Sequence, residues 1–119
     1  MHDIRFTAIA GINESGELSW LETNRVTWWI TDRGAGQVVV VGTPCVGFEA
    51  AVTVTEEQIV LDRSKMQVAA IFCEPPRSDY DRWVHRFTEL PLNYSWDEET
   101  LTISNKRGSL TMTPDSSST

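Results

Sequence analysis

Two cysteines, two histidines and five tryptophans are the residues of this chain best suited to chemistry or binding. Cys45 and Cys73 stand 28 positions apart, without the close CxxC spacing of zinc or redox motifs. Paired, they would close a loop whose crosslink is worth about 3–4 kcal/mol in chain entropy. Free, they would be two small core residues. The spacing leaves both readings open. A Cys–His nucleophile would require His85, on the segment after Cys73, to reach that thiol. His85 lies beside Val84, off the apolar stripe of its segment, and reads as a solvated residue. Cys73 ends the apolar run 68–72, which points to burial rather than an activated thiolate.

Other chemistries find less support. Only His2 and His85 are available as imidazole ligands, and neither HExxH nor an EF-hand loop occurs, so no metal or cofactor is expected. Gly34-Ala35-Gly36 leads into a strand, whereas a phosphate cradle needs its glycines before a helix. No GxSxG elbow is present. The carboxylate pairs Glu56-Glu57 and Glu98-Glu99 fall in turns, not facing one another across a cleft. Two N-x-S triplets, Asn13-Glu14-Ser15 and Asn93-Tyr94-Ser95, matter only in a eukaryotic secretory setting. The chain is therefore expected not to be an enzyme.

The tryptophans carry more information. Trp28 and Trp29 are adjacent in strand-like sequence, so their rings point to opposite faces. One belongs to the core; the other is either covered by another element or exposed as a contact for a ligand or partner. Trp20, Trp83 and Trp96 read as core or core-edge residues.

The elements that must position these residues are mostly strands. Ile4, Phe6 and Ala8 alternate with Arg5 and Thr7, and residues 11–16 look like a turn. Residues 25–32 are rich in β-branched and aromatic side chains and precede a hairpin turn at 32–36. Val38 to Val41 is an unbroken apolar run, expected to be buried on both faces. Further strands are expected at 49–55, 59–61, 66–72, 93–96, 101–104 and 109–113. One segment has another period: Tyr80, Trp83, Val84 and Phe87 form a helical stripe, with Ser78 as N-cap, Asp79 and Asp81 in the first turn, and Pro91 as the stop. The expectation is a mainly β, β-rich α+β fold: a curled antiparallel sheet or partly open barrel of about eight short strands, with one helix covering a face or end. The single domain spans 1–113, and the Ser-rich tail 114–119 is expected to be disordered.

Composition bounds the partners. The chain has 119 residues, 40% hydrophobic and 23% charged, enough for one packed domain. Its net charge is −7, with ten basic residues scattered among seventeen acidic ones. Nucleic acid and anionic membrane surfaces are therefore disfavoured as partners. No apolar run approaches the length of a membrane span, and no leader is evident. The protein is either cytosolic or has lost a leader.

From Val38 onward the order of elements resembles the META domain family, the HslJ-like proteins. The residues that carry the resemblance are Gly42 and Cys45 with Phe48, then Leu61, Ser64-Lys65-Met66 and Cys73-Glu74-Pro75. They continue with Asp79-Tyr80-Asp81 through Phe87 and Leu90, then Tyr94-Ser95-Trp96-Asp97, Leu101-Thr102-Ile103 and Gly108 to Met112. The similarity spans residues 25–113. Members of that family are typically bacterial lipoproteins, periplasmic or secreted proteins, some linked to stress responses, and no catalytic residues are carried over from them. Because Cys45 and Cys73 fall at family cysteine positions, the resemblance implies a disulfide between them. It also implies an extracytoplasmic location, with a leader or lipid anchor removed. The function that follows is a non-enzymatic, envelope- or stress-associated interaction module, expected as a monomer, acting on a protein or a small apolar ligand. The alternatives are a secreted inhibitor of a hydrolase and a carrier of a small apolar ligand. The candidate interaction surface comprises Trp28, Trp29, Pro44, Phe48, Pro75 and Pro76.

Overall fold

The computed structural model describes residues 1–34, 36–68 and 73–115. Among the described residues nine strands and one α-helix follow in chain order: β1 (Arg5–Asn13), β2 (Gly16–Glu17), β3 (Thr27–Asp32), β4 (Gln37–Gly42), β5 (Phe48–Val54), β6 (Gln58–Val68), α1 (Arg77–Phe87), β7 (Leu92–Trp96), β8 (Leu101–Asn105) and β9 (Gly108–Pro114). A short 3-10 helix, Ser19–Glu22, joins β2 to β3. Every pairing is antiparallel, and the order β1-β3-β4-β5-β6-β7-β8-β9 returns to β1. Eight strands thus form a closed barrel, with β2 as an extra strand on β1. The closing ladder runs from Phe6↔Pro114 to Asn13↔Gly108, so the mainly β fold has no open seam between its first and last long strands.

Inward positions recur every second residue, and they are apolar. Phe6, Trp28, Ile30, Val39, Ile59, Leu101, Ile103, Leu110 and Met112 are each 2% exposed or less. At roughly 25 cal/mol per Å² of apolar surface, this shared interior is the principal stabilising term. Val38 to Val41 is buried on one face only: Val39 and Val41 point inward, while Val38 and Val40 are half-buried on the outer wall. The unbroken apolar run concealed an ordinary alternating strand.

Other boundaries move for identifiable reasons. β1 runs through residues expected to turn, because Gly11 lets it pass close to β9. A Cβ there would meet Leu110 Cδ2 at 2.8 Å and the Ser109 carbonyl at 2.9 Å. The turn shrinks to Glu14-Ser15, where Ser15 N donates to Asn13 Oδ1 at 2.7 Å and Gly16 takes φ +125°. The strand expected at 59–61 and the start of that at 66–72 are one strand, β6, with an irregular register against β5 between Glu49 and Ala51. Residues 69–72 lie outside the described residues. In α1 the N-cap is Pro76 rather than Ser78, and Ser78 N instead donates to the Glu74 carbonyl at 3.3 Å. Pro114 belongs to β9, and Asp115 N donates to the Arg5 carbonyl at 2.8 Å; the rest of the expected tail, 116–119, lies outside the described residues.

Helix α1 lies over the barrel end where β1, β4 and β8 finish. Val84 and Phe87 enter the core, and Trp83 stacks on Phe87 at 4.8 Å. Trp20 of the 3-10 helix stacks on Tyr80 at 4.5 Å. Asn105 Nδ2 donates to the Phe87 carbonyl at 2.8 Å, and Arg63 Nη1 donates to the His85 carbonyl and to Thr88 Oγ1, both at 3.1 Å. These contacts satisfy carbonyls of the last helical turn that have no partner within the helix.

Candidate functional site

The alternation of β3 separates the two adjacent tryptophans. Trp28 points into the barrel and is 1% exposed, so it leaves the candidate surface. Its indole N–H is buried with no hydrogen-bond partner among the described residues. Trp29 points outward, half-buried, and the β1–β3 register sets Arg5 directly opposite it. The Arg5 guanidinium lies over the indole, 4.3 Å from the ring centroid, and that of Arg33 is 5.7 Å away. Arg33 is held by Glu49 through contacts of 3.2 and 3.5 Å. A groove of about 340 Å³ beside this platform is lined by Arg5, Thr27, Trp28, Trp29, Val40 and Asp115.

The platform joins an aromatic face to two planar, delocalised cations, each such contact being worth about 0.5–1 kcal/mol at an exposed site. Guanidinium is weakly hydrated and matches carboxylate geometry. Glu49 pairs with Arg33 and Asp115 lines the groove, so what the platform offers a partner is a planar stacking surface with balanced charge. The arginines escape sequence reading because cross-strand register is invisible until strand order is known. The alternation at 28 and 29 was the only available signal.

The remaining candidates gather at the helix-covered end. Cys45 and Cys73 form a disulfide with a Cα–Cα distance of 5.9 Å, joining the β4–β5 loop to the segment before α1. Pro44 is half-buried, and Pro75 and Pro76 are exposed. Phe48 is 3% exposed and belongs to the core, so it too leaves the surface. Because Cys73 is bonded to Cys45, it does not supply a thiol to His85.

His85 is not a solvated helix residue. Its side chain is 18% exposed, its ring packs 4.5 Å from that of Phe48, and its Nε2 lies 3.4 Å from Asp81 Oδ2. The Thr43 hydroxyl donates to Asp81 Oδ1, which also accepts from Val46 N at 3.2 Å. Asp81 thus fastens the disulfide-bearing loop to the helix, a role its helical position alone did not signal. Burial pushes the His85 pKa below its ordinary value, against the opposing pull of the Asp81 carboxylate. Among the described residues no group of three or more His, Cys, Asp or Glu side chains is placed to hold a metal ion.

No family model matches the chain, and neither does any curated protein. Two NMR structures share its fold. One, of a protein from Burkholderia xenovorans, superposes with a TM-score of 0.73 at 8% identity, covering 97% of this chain and 83% of that one. The other superposes with a TM-score of 0.68 at 10% identity, covering 95% and 90% respectively. At such identity the likeness is one of fold alone.

Proposed function

We propose that this protein is a non-enzymatic interaction module of the cell exterior or envelope, of the META-like type, contacting its partner through the Trp29 platform. The observation that carries the reading is the pairing of outward Trp29 with Arg5 and Arg33 on a rigid barrel wall. A platform fixed by ladder hydrogen bonds loses little entropy on binding. The extracytoplasmic placement rests on the disulfide and on the sequence resemblance. The carrier alternative loses its main support, because Trp28, Phe6, Phe87 and Met112 fill the barrel interior.

The test is selection of displayed random peptides on the folded protein, counter-selected on Trp29→Ala. Aromatic or other planar binders that lose affinity at least tenfold on Trp29→Ala or Arg5→Ala would support the platform. Binders indifferent to both substitutions would remove it. The hydrolase-inhibitor alternative is favoured by one observation, the disulfide that ties together the loops carrying Pro44, Pro75 and Pro76. It predicts that binding to a protease survives Trp29→Ala and is lost when the disulfide is reduced.

A further inference from the structure

The most exposed large apolar side chains among the described residues are Ile9 and Ile12, at 60% and 49%. Isolated exposed isoleucines are ordinary, but these two line the same groove, of about 290 Å³. Its origin lies in the ladder. The pairing of β1 with β3 ends at Thr7↔Thr27, and pairing with β2 begins only at Ile12↔Glu17. Between them the register against β9 shifts at Ala8/Ala10, a bulge of the kind that re-aims side chains. Here the 3-10 helix, rather than a strand, flanks β1, and Leu18 closes the base of the groove.

Two charged residues line this groove, Glu17 and Glu22, and both are exposed carboxylates. On the β9 side the lining residues are Ser109 and Thr111. The local sign agrees with the whole molecule, whose net charge is −7. An anionic partner is repelled here and a cationic one is steered in. Ile9 and Ile12 are the exposed apolar contacts within this otherwise largely polar lining, and branched apolar side chains would cover them.

We propose that this groove binds a short cationic segment of a partner protein, seating branched apolar side chains over Ile9 and Ile12 and setting Lys or Arg against Glu17 and Glu22. The surface is separate from the Trp29 platform. The probe is a capped six-residue peptide alternating lysine and valine, titrated into the ¹⁵N-labelled protein. Two control peptides alternate glutamate with valine and lysine with serine. The lysine–valine peptide is expected to shift the amides of β1 and the 3-10 helix, with a Kd in the range of about 0.1–1 mM. The Glu17→Gln/Glu22→Gln variant should bind it about three- to tenfold more weakly and with less dependence on salt. Ile9→Ser/Ile12→Ser should remove saturable binding while the rest of the spectrum stays folded. Equal binding by the lysine–serine or glutamate–valine peptide, shifts mapping elsewhere, or no shift at all would overturn the proposal.

Discussion

His85 sits where its charge works against folding. Its folded pKa is lowered chiefly by burial, so between that value and about 6.5 the unfolded chain binds more protons than the native one. Stability from this residue is complete above about pH 6.5 and falls as pH drops toward the folded pKa. Urea titrations between about pH 7.5 and 5 should show this slope, and His85→Gln should flatten it. An unchanged slope in the variant would assign the pH dependence to other groups. Asp81 answers to a different cost. Asp81→Ala leaves the donors of Thr43 and Val46 without their carboxylate and should cost about 1–3 kcal/mol. The adjacent tryptophans make a cleaner contrast. Trp28→Ala should cost about 3–5 kcal/mol because it empties the barrel interior. Trp29→Ala should cost only about 1–2 kcal/mol, since it removes two cation–π contacts on the outer wall. Equal losses at the two positions in urea denaturation would contradict the inward–outward assignment. The alternation that separates these residues was legible in the sequence. The arginine partners of Trp29 were not, because they come from register between strands distant in the chain.

At the scale of elements, local chemistry was the readable part. The hairpins, the helical stripe and the three closing strands follow from period and turn residues. The errors arose where tertiary contact outweighs local preference. Gly11 reads as a turn residue, yet its missing Cβ permits a close strand crossing. Ser78 is a good N-cap by type, but the preceding Pro75-Pro76 segment is held by the Cys45–Cys73 disulfide and fixes the helix start earlier. That crosslink closes a sequence separation of 28 residues, and replacing both cysteines by alanine should cost about 3–4 kcal/mol in loop entropy. Urea denaturation of the double variant checks it, and a loss below about 1 kcal/mol would contradict a loop-entropy contribution of that size. Gly108 tests the hairpin beneath the helix. It has φ +151°, and an added Cβ would collide with the Ile12 carbonyl and approach Trp83 Cζ2 at 3.0 Å. Gly108→Ala should therefore destabilise by more than about 1 kcal/mol, through backbone strain and displaced β1 and α1 together.

Closure is the property of the whole molecule that no local pattern announced. Strand count and spacing allow a curled sheet, an open barrel or a closed one, because all three use the same alternating strands. What decides is whether the first long strand meets the last, and here β1 pairs with β9 along nearly its full length. The consequence is measurable. Terminal strands usually fray, exchanging amide hydrogens through cheap local openings. In this closed barrel β9 has a strand on both sides, while β1 has β9 along its length, β3 over residues 5–7 and the 3-10 helix beyond, so opening either one exposes Phe6, Leu110 and Met112 from the common core. Ladder-bonded amides of β1 and β9 should then exchange only through global unfolding, with the same free energy as those of β3 and β4. The two residues of β2, paired on one side alone, should exchange far faster. Native-state hydrogen exchange resolves these classes residue by residue. If β1 and β9 opened together at clearly lower free energy than β3 and β4, the seam would be a weak clasp on a curled sheet. The outer surfaces that depend on β1, the Trp29 platform and the Ile9–Ile12 groove, would then be movable parts rather than fixtures of one rigid wall.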